Sequence, residues 1–170
     1  MTKQDITLLA KENVFDLIGK EWMLVTAGTP DKYNTMTASW GSIGWLWNKP
    51  VAFIFIRPER FTHDFIEAND RLTLSFYGDE YRKALQICGS KSGRDINKTE
   101  ATGLTPETLE SGTITFGEAR MTLDCRKLFK SPMKADDFVD KSLLERWYND
   151  KPGGGLHDIY IVEIEDIYTK

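Results

Sequence analysis

Two arginines bracket a turn in "RPERFTHDF" (Arg57–Phe65), and the hydroxyl of Thr62 follows them at a position suited to capping a helix, with Asp64 in its first turn. Guanidinium groups, a hydroxyl and the free N–H groups of a helix N-terminus are the parts of an anion site that needs no glycine-rich loop. A second donor-rich stretch, "CGSKSGRD" (Cys88–Asp95), sets Ser90, Lys91, Ser92 and Arg94 around two glycines. Such a loop clamps a phosphate or a polyhydroxyl chain with hydroxyls and an ammonium group. It is not a P-loop, because the Gly-x-x-x-x-Gly-Lys-Ser/Thr spacing is missing. Taken singly, each stretch also reads as ordinary surface: a solvated turn with a routine cap, and a polar connector between two helices.

A third stretch, "NTMTASWGSIGWLWNKP" (Asn34–Pro50), places Trp40, Trp45 and Trp47 among Thr, Ser, Ala and Gly. In an extended chain Thr37 and Ser39 face one way while Ala38 and Trp40 face the other. Small residues let a flat ring approach backbone N–H and C=O groups, and neighbouring indoles wall that ring off from water. The competing reading gives at least one of Trp45 and Trp47 to the hydrophobic core. His157 opens the final apolar run, either at the mouth of a pocket or as a hydrogen-bonded rim residue, and His63 is given no role. Cys88 and Cys125 read as small hydrophobes, and Cys88 at a helix C-terminus has no dipole to help it ionise. No Ser-His-Asp spacing and no carboxylate pair stands out, so no catalytic side chain is assigned. With two histidines and no Cys-x-x-Cys, a zinc cage is not expected either. Whatever chemistry the chain performs rests on a borrowed cofactor.

The 170 residues are read as one domain, 1–170, long enough to close its own core. Lys and Arg number 22 against 26 Asp and Glu, for a net charge of −4, and no basic run forms a nucleic-acid footprint. The N-terminus lacks a signal-peptide pattern, and the longest apolar runs are too short for a membrane span. Two cysteines make no disulfide framework, so they are expected as reduced thiols in a cytoplasmic protein.

These residues need elements to hold them. "WMLVTAG" (Trp22–Gly28) and "TMTASWGSIG" (Thr35–Gly44) read as a hairpin around the turn "TPDKYN" (Thr29–Asn34). "VAFIFIRP" (Val51–Pro58) reads as a strand covered on both sides, and "LTLSFYG" (Leu72–Gly78) as one alternating with period two. "GTITFGEARMTLDCRKLFK" (Gly112–Lys130) is extended with a break near Gly117, and "HDIYIVEIEDIY" (His157–Tyr168) closes the set. Six strands joined by turns and short helices favour a mainly β fold closing as a barrel. Asn13 is expected to cap one helix, Thr62 a second, and Asp79 a third that ends with Gly89 in the C′ position. A last helical run is expected to start at Ser131–Pro132 and to place Phe138, Leu144 and Trp147 near one face, distant from Trp40. "KPGGG" (Lys151–Gly155) is the most flexible stretch and too short to separate domains.

Taken together, "NTMTASWGSIGWLWNKP", "RPERFTHDFI", "LTLSF", "ALQICGSKSGRD" with "GLTP", and "HDIYIVEIEDI" resemble the flavin reductase-like family of FMN-binding split-barrel proteins, which includes flavoredoxin. The resemblance implies a six-stranded Greek-key split β-barrel, a homodimer, and FMN near the dimer interface. It implies that Thr37, Ala38, Ser39 and Trp40 line the flavin, that Arg57, Arg60, Phe61 and Thr62 lie near its ribityl phosphate, and that Ser90, Lys91 and Ser92 complete the phosphate end. The chain departs from the family pattern with "WNKP" in place of a proline pair and "GGGLHD" in place of "GDH", both on the nicotinamide side. The resemblance points to an FMN-dependent oxidoreductase taking electrons from NAD(P)H or from a redox partner protein. Two alternatives stand beside it: a flavoredoxin-like electron carrier, and a ligand-binding barrel without redox function.

Overall fold

The structure is a computed structural model that describes residues 1–149 and 155–170, so most of the "KPGGG" stretch lies outside the described residues. The chain opens with β1 (Thr2–Gln4) and α1 (Val14–Asp16), which runs on into a π-helical turn at Leu17–Glu21. A hairpin follows, β2 (Met23–Thr29) and β3 (Lys32–Ala38), then a second one, β4 (Gly41–Leu46) and β5 (Lys49–Ile56). After these come α2 (Phe61–Ala68), β6 (Arg71–Phe76), α3 (Arg82–Ser90) and α4 (Lys98–Thr102). The C-terminal part holds β7 (Pro106–Thr108), β8 (Ile114–Phe116), β9 (Met121–Pro132), α5 (Ser142–Tyr148) and β10 (Asp158–Thr169).

The main sheet has the order β3-β2-β6-β9-β10-β5-β4, with β1 added on β10, and β7 pairs with β8 in a small separate ribbon. All of these pairings are antiparallel. The sheet does not close by hydrogen bonds between its outer strands β3 and β4; Ser39 and Trp40 carry the chain across that opening. The mainly β fold with short helices is therefore as expected. All six strands read from the sequence are present, two of them broken in two: Thr35–Gly44 at Ser39–Trp40, and Gly112–Lys130 around Gly117. The two short strands β1 and β7 were not anticipated.

One face of the sheet wraps a core that includes Val25, Ile54, Leu74, Phe76, Leu123, Tyr160 and Val162. The other face carries a second cluster in which Leu24, Tyr77, Leu85, Cys88 and Phe116 pack beneath α3 and β8. Alternating residues of β2 thus go to different cores, Leu24 outward and Val25 inward, as the period-two geometry of a strand requires. For the same reason β6 is buried on both faces rather than on one. Its outward hydroxyls are spent on β8 and β9: Thr73 donates to the Ile114 carbonyl (2.6 Å), and Ser75 pairs with Thr115 (3.0 Å) and Thr122 (3.1 Å).

Helix ends deviate from the sequence reading in three places. Asn13 does cap α1, its side chain accepting from the Phe15 N–H. At α2, however, Arg60 occupies the cap position and Thr62 lies inside the helix, where its buried hydroxyl accepts from Asn34 Nδ2 (2.8 Å). At α3, Asp79 belongs to a preceding 3-10 turn, and the helix continues through Gly89 because the Lys91 N–H reaches the Ile87 carbonyl (3.0 Å). No helix starts at Ser131–Pro132, since those residues still pair with Ile159 and Asp158 of β10. Trp45 and Trp47 are 68% and 55% exposed, so neither fills the core. They flank or form the β4–β5 turn, in which Trp47 and Asn48 both take positive φ, the signature of a type I′ hairpin. Among the described residues no helix is long and apolar enough to cross a membrane.

Candidate functional site

The opening of the sheet is where the three sequence stretches meet. β3 ends at Ala38, and Met36 and Ala38 point into the core while Thr37 turns outward, its hydroxyl donating to the Leu85 carbonyl of α3. Ser39 and Trp40 then leave the sheet. Around them lies a cavity of about 170 Å³ lined by Thr37, Ala38, Ser39, Trp40, Arg57, Arg60 and His157, among others. Thr37 and Ser39 also line an adjoining cleft of about 370 Å³ against Trp22, Leu85 and Gly89. Arg60, Gly89 and Ser90 carry the depression on into a third part of about 230 Å³, walled by Phe61, Thr62, Lys91, Ser92 and Lys98. The shared residues make these one continuous groove, of the size that small-molecule sites occupy. Every site residue predicted from the sequence lines it.

The two ends differ in chemistry. At the polar end, the first turn of α2 faces the groove beside Arg60, whose Nη2 donates to the Gly89 carbonyl (3.0 Å). Burial lowers the Arg60 pKa from its ordinary value, yet an arginine keeps its charge in any protein setting. The Ser90 hydroxyl bonds back to the Gln86 carbonyl (2.8 Å), and the Ser92 hydroxyl accepts from the Arg94 N–H (3.1 Å). Arg94 stacks over Phe61 (4.5 Å) and pairs with Asp64 (2.7 Å), which fixes this loop on α2. The glycines have a steric reason: a Cβ on Gly89 would come within 3.2 Å of Thr37, and one on Gly93 would collide with Asn34 at 2.1 Å. A side chain at either position would push the loop off β3 or displace its neighbour, more so at Gly93 than at Gly89. Beyond Gly93 a larger open cleft of about 740 Å³ continues along Tyr33, Asn97 and Lys98.

At the other end the walls are aromatic. Trp40 meets Trp147 edge-on (5.3 Å between rings) and lies 5.3 Å from the His157 ring. His157 Nδ1 pairs with the Tyr148 hydroxyl (2.8 Å), and Arg57 lies over the Tyr148 ring (5.1 Å) while donating to the Trp147 carbonyl (2.9 Å). Burial, followed by the nearby Arg57, pulls the His157 pKa down to about 4, so the ring is neutral at physiological pH. Burial likewise holds the Tyr148 phenol above its usual value.

The expectation that Trp147 sits far from Trp40 is therefore corrected: β9 and β10 bring α5 back over the ring end. Arg57 is grouped with that aromatic end and does not line the Ser90–Ser92 part, unlike Arg60. His63, given no role, bonds Asp158 (2.8 Å) and ties α2 to β10. Cys88 and Cys125 are buried free thiols whose pKa values burial raises, as expected of packing residues. Sequence reasoning missed Trp22, Tyr148 and Lys98. For Lys98 a signal existed: "DINKTE" puts Asn97 at a helix cap, so the residue after it is held just behind the donor loop. Among the described residues no group of side chains is arranged to hold a metal ion.

The family described as "flavin reductase like domain" matches residues 15–170. Solved structures share the fold. Flavoredoxin of Desulfovibrio vulgaris (Miyazaki F) is 20% identical, with all of this chain and 77% of that one covered at a TM-score of 0.68. The FMN-binding protein from Thermus thermophilus with bound p-hydroxybenzaldehyde is 19% identical over 88% of this chain and 71% of that one, at 0.66. An NADH:FAD oxidoreductase of Streptomyces globisporus is 15% identical over 88% and 75%, at 0.63. No curated protein matches the chain in sequence.

Proposed function

The chain belongs to the flavin reductase-like domain family, and on that premise we propose that it is an FMN-dependent oxidoreductase passing electrons from a reduced nicotinamide to a second acceptor. One observation carries the reading: a single groove joins a cationic, hydroxyl-lined end to a ring-sized end of small residues and indoles. The donor set fits FMN. Arg60, Ser90, Lys91, Ser92 and the first N–H groups of α2 suit a phosphate, and the Thr37–Ser39 backbone suits the edge of a flat ring approached closely. The flavin supplies the two-electron chemistry when bound, and the protein orients it and excludes water. Neutral His157 and the Tyr148 phenol place no charge beside the ring. Trp40 closes one side of it, and Trp147 backs Trp40 from outside the groove.

In this reading a second copy of the chain covers the ring end. Trp45 and Trp47 on the outer strand β4 are exposed, and Phe129 meets Trp47 (6.3 Å), which leaves an apolar surface beside a groove one subunit only partly encloses. Light scattering should then give about twice the 19.5 kDa chain mass. Buried thiols without a disulfide partner accord with a cytoplasmic setting.

The test is a visible spectrum of purified protein followed by anaerobic addition of NADH or NADPH. Flavin bands that bleach on adding the nicotinamide support the reductase. Bands that bleach only with a reduced partner protein support the flavoredoxin-like carrier instead. Protein that is colourless and takes up no flavin overturns both and leaves a ligand-binding barrel.

A further inference from the structure

Lys98 is 7% exposed and is the first residue of α4. Its place is fixed locally by Asn97, whose side-chain oxygen accepts from the Thr99 N–H (3.1 Å). From there Nζ reaches under the donor loop and donates to two carbonyls, Thr35 of β3 (2.7 Å) and Cys88 of α3 (2.8 Å). The same side chain lines the Ser90–Ser92 end of the groove.

Cys88 lies in the last turn of α3, and a helix C-terminus carries free carbonyls and a partial negative charge of about half a unit. An anion set against Ser90–Ser92 therefore has the favourable end of α2 on one side and the unfavourable end of α3 on the other. The terminal carbonyls of α3 are taken up in turn. The Thr37 hydroxyl bonds Leu85, Ser90 bonds Gln86, and the Lys91 N–H bonds Ile87; Lys98 bonds Cys88 and Arg60 bonds Gly89. Of these partners only Arg60 and Lys98 bring a positive charge through the bonding group.

We propose that Lys98 is a positioning residue that makes this end of the groove selective for a phosphorylated flavin. While charged, it offsets the negative end of α3 and holds the Thr35 and Cys88 walls together. While neutral, it can still bond both carbonyls but no longer sets a positive charge against the negative end of α3 beside the phosphate. The inference rests on the flavin reading above and goes beyond it by naming what confers the preference for the phosphate.

The charge is adjustable. Burial pulls Lys98 from 10.5 to about 8, with the Cys88 thiol opposing the shift and the Arg60 guanidinium adding to it. Cys88 faces it from α3, Arg60 from the cap of α2, and Thr35 of β3 brings no charge. Glu59 and Lys91 line the same part of the groove, and Glu100 on α4 itself is engaged by Asn97 Nδ2 (2.8 Å). A phosphate is already dianionic above about pH 7. Bound beside Lys98 it favours the charged lysine, so binding above about pH 8 takes up a proton. Affinity for FMN should then fall with rising pH, by at most about tenfold per unit, while riboflavin is indifferent.

The experiment is a titration of flavin-free protein with FMN and with riboflavin, followed by flavin fluorescence, at steps from about pH 7 to about pH 9.5. The expected result is an FMN-to-riboflavin affinity ratio that is steady near pH 7 and falls above about pH 8. In Lys98→Met the ratio should drop at pH 7 by about tenfold or more and lose its dependence on pH, with riboflavin binding changed by less than about twofold. Equal weakening of both flavins in a folded Lys98→Met protein overturns the proposal. So does a wild-type ratio that stays constant with pH, which decides the matter even if the variant fails to fold. Wild-type protein that binds neither flavin overturns the flavin reading itself, whereas tight binding of both at a constant ratio overturns this inference alone.

Discussion

At the Ser90–Ser92 end of the groove most polar groups are set by partners a few residues away, such as Ser90 with Gln86, Ser92 with Arg94 and Asn97 with Thr99. Beneath them lie fully buried Thr62 and Cys88 and nearly buried Lys98. At the Trp40 end, Arg57 reaches 90 positions along the chain to the Trp147 carbonyl, and Trp147 itself remains 45% exposed. The helix that carries it, α5, has no buried residue at all. The Ser90–Ser92 end is thus preorganised by local chemistry on top of the core. The ring end is assembled from distant segments and held by a few surface contacts, so it gains most from being covered by a ligand or a second subunit.

The sharpest way to break that comparison is Arg60→Ala. Its guanidinium holds the Gly89 carbonyl and keeps further donors for a phosphate. Losing a charge-assisted bond costs about 1.5–3 kcal/mol, so FMN affinity should fall between about ten- and a hundredfold. Riboflavin, lacking the phosphate, should change by less than about twofold. Should riboflavin weaken as much as FMN, Arg60 would be ordering the loop rather than meeting the phosphate, and the contrast between the ends would fail.

The same contrast sets what was legible in the sequence. "RPERFTHDF" and "CGSKSGRD" were each legible as donor-rich turns because their geometry follows from nearby residues, but only the family resemblance set them together, and the structure brings both to the same groove. The strands were legible from their apolar runs, and the break near Gly117 from its turn residues. The reach of Trp147 to Trp40 was not, since it depends on where the chain between the paired strands β9 and β10 returns α5. The Thr62 cap failed for a related reason. The helix begins at Phe61, which makes Arg60 the cap and puts Thr62 in the first turn, where its hydroxyl accepts from Asn34 of β3, a partner 28 residues away. The exposed Trp45 and Trp47 were ambiguous because a strand's apolar residues look alike whether a core or another surface covers them.

A second, smaller effect distinguishes the ends by pH. His157 is buried neutral, with a folded pKa of about 4 below its ordinary 6.5. A depressed histidine favours the fold while it is uncharged, so its contribution is complete above about pH 6.5 and is lost as pH falls toward about 4. Between pH 7 and pH 5 that amounts to about 1–2 kcal/mol. Urea unfolding of wild type and His157→Gln should show the wild type losing that much more stability over this interval. Parallel pH curves for the two proteins would mean that His157 is already solvated and that the ring end is looser still.

The smallest expected effect is the most specific to α5. Seven residues make too short a helix to persist unaided, so α5 depends on what its last turn touches. The contacts that anchor it include the edge of Trp147 on Trp40, the Trp147 carbonyl on Arg57, and the Tyr148 hydroxyl on His157. Trp147→Ala removes the first and leaves the other two, because one is made by backbone and one by the next residue. An aromatic pair of this kind is worth about 0.5–1.5 kcal/mol beyond its buried area. Amide exchange over Ser142–Tyr148 should accelerate by about two- to tenfold, while the rest of the chain exchanges as before. FMN affinity should move by less than about threefold, since neither Trp147 nor Tyr148 lines the groove. Trp40→Ala, which strips a groove wall, should weaken FMN more than that. If Trp147→Ala weakens FMN as strongly as Trp40→Ala, then α5 is part of the binding surface, and the aromatic end is as firmly built as the Ser90–Ser92 end.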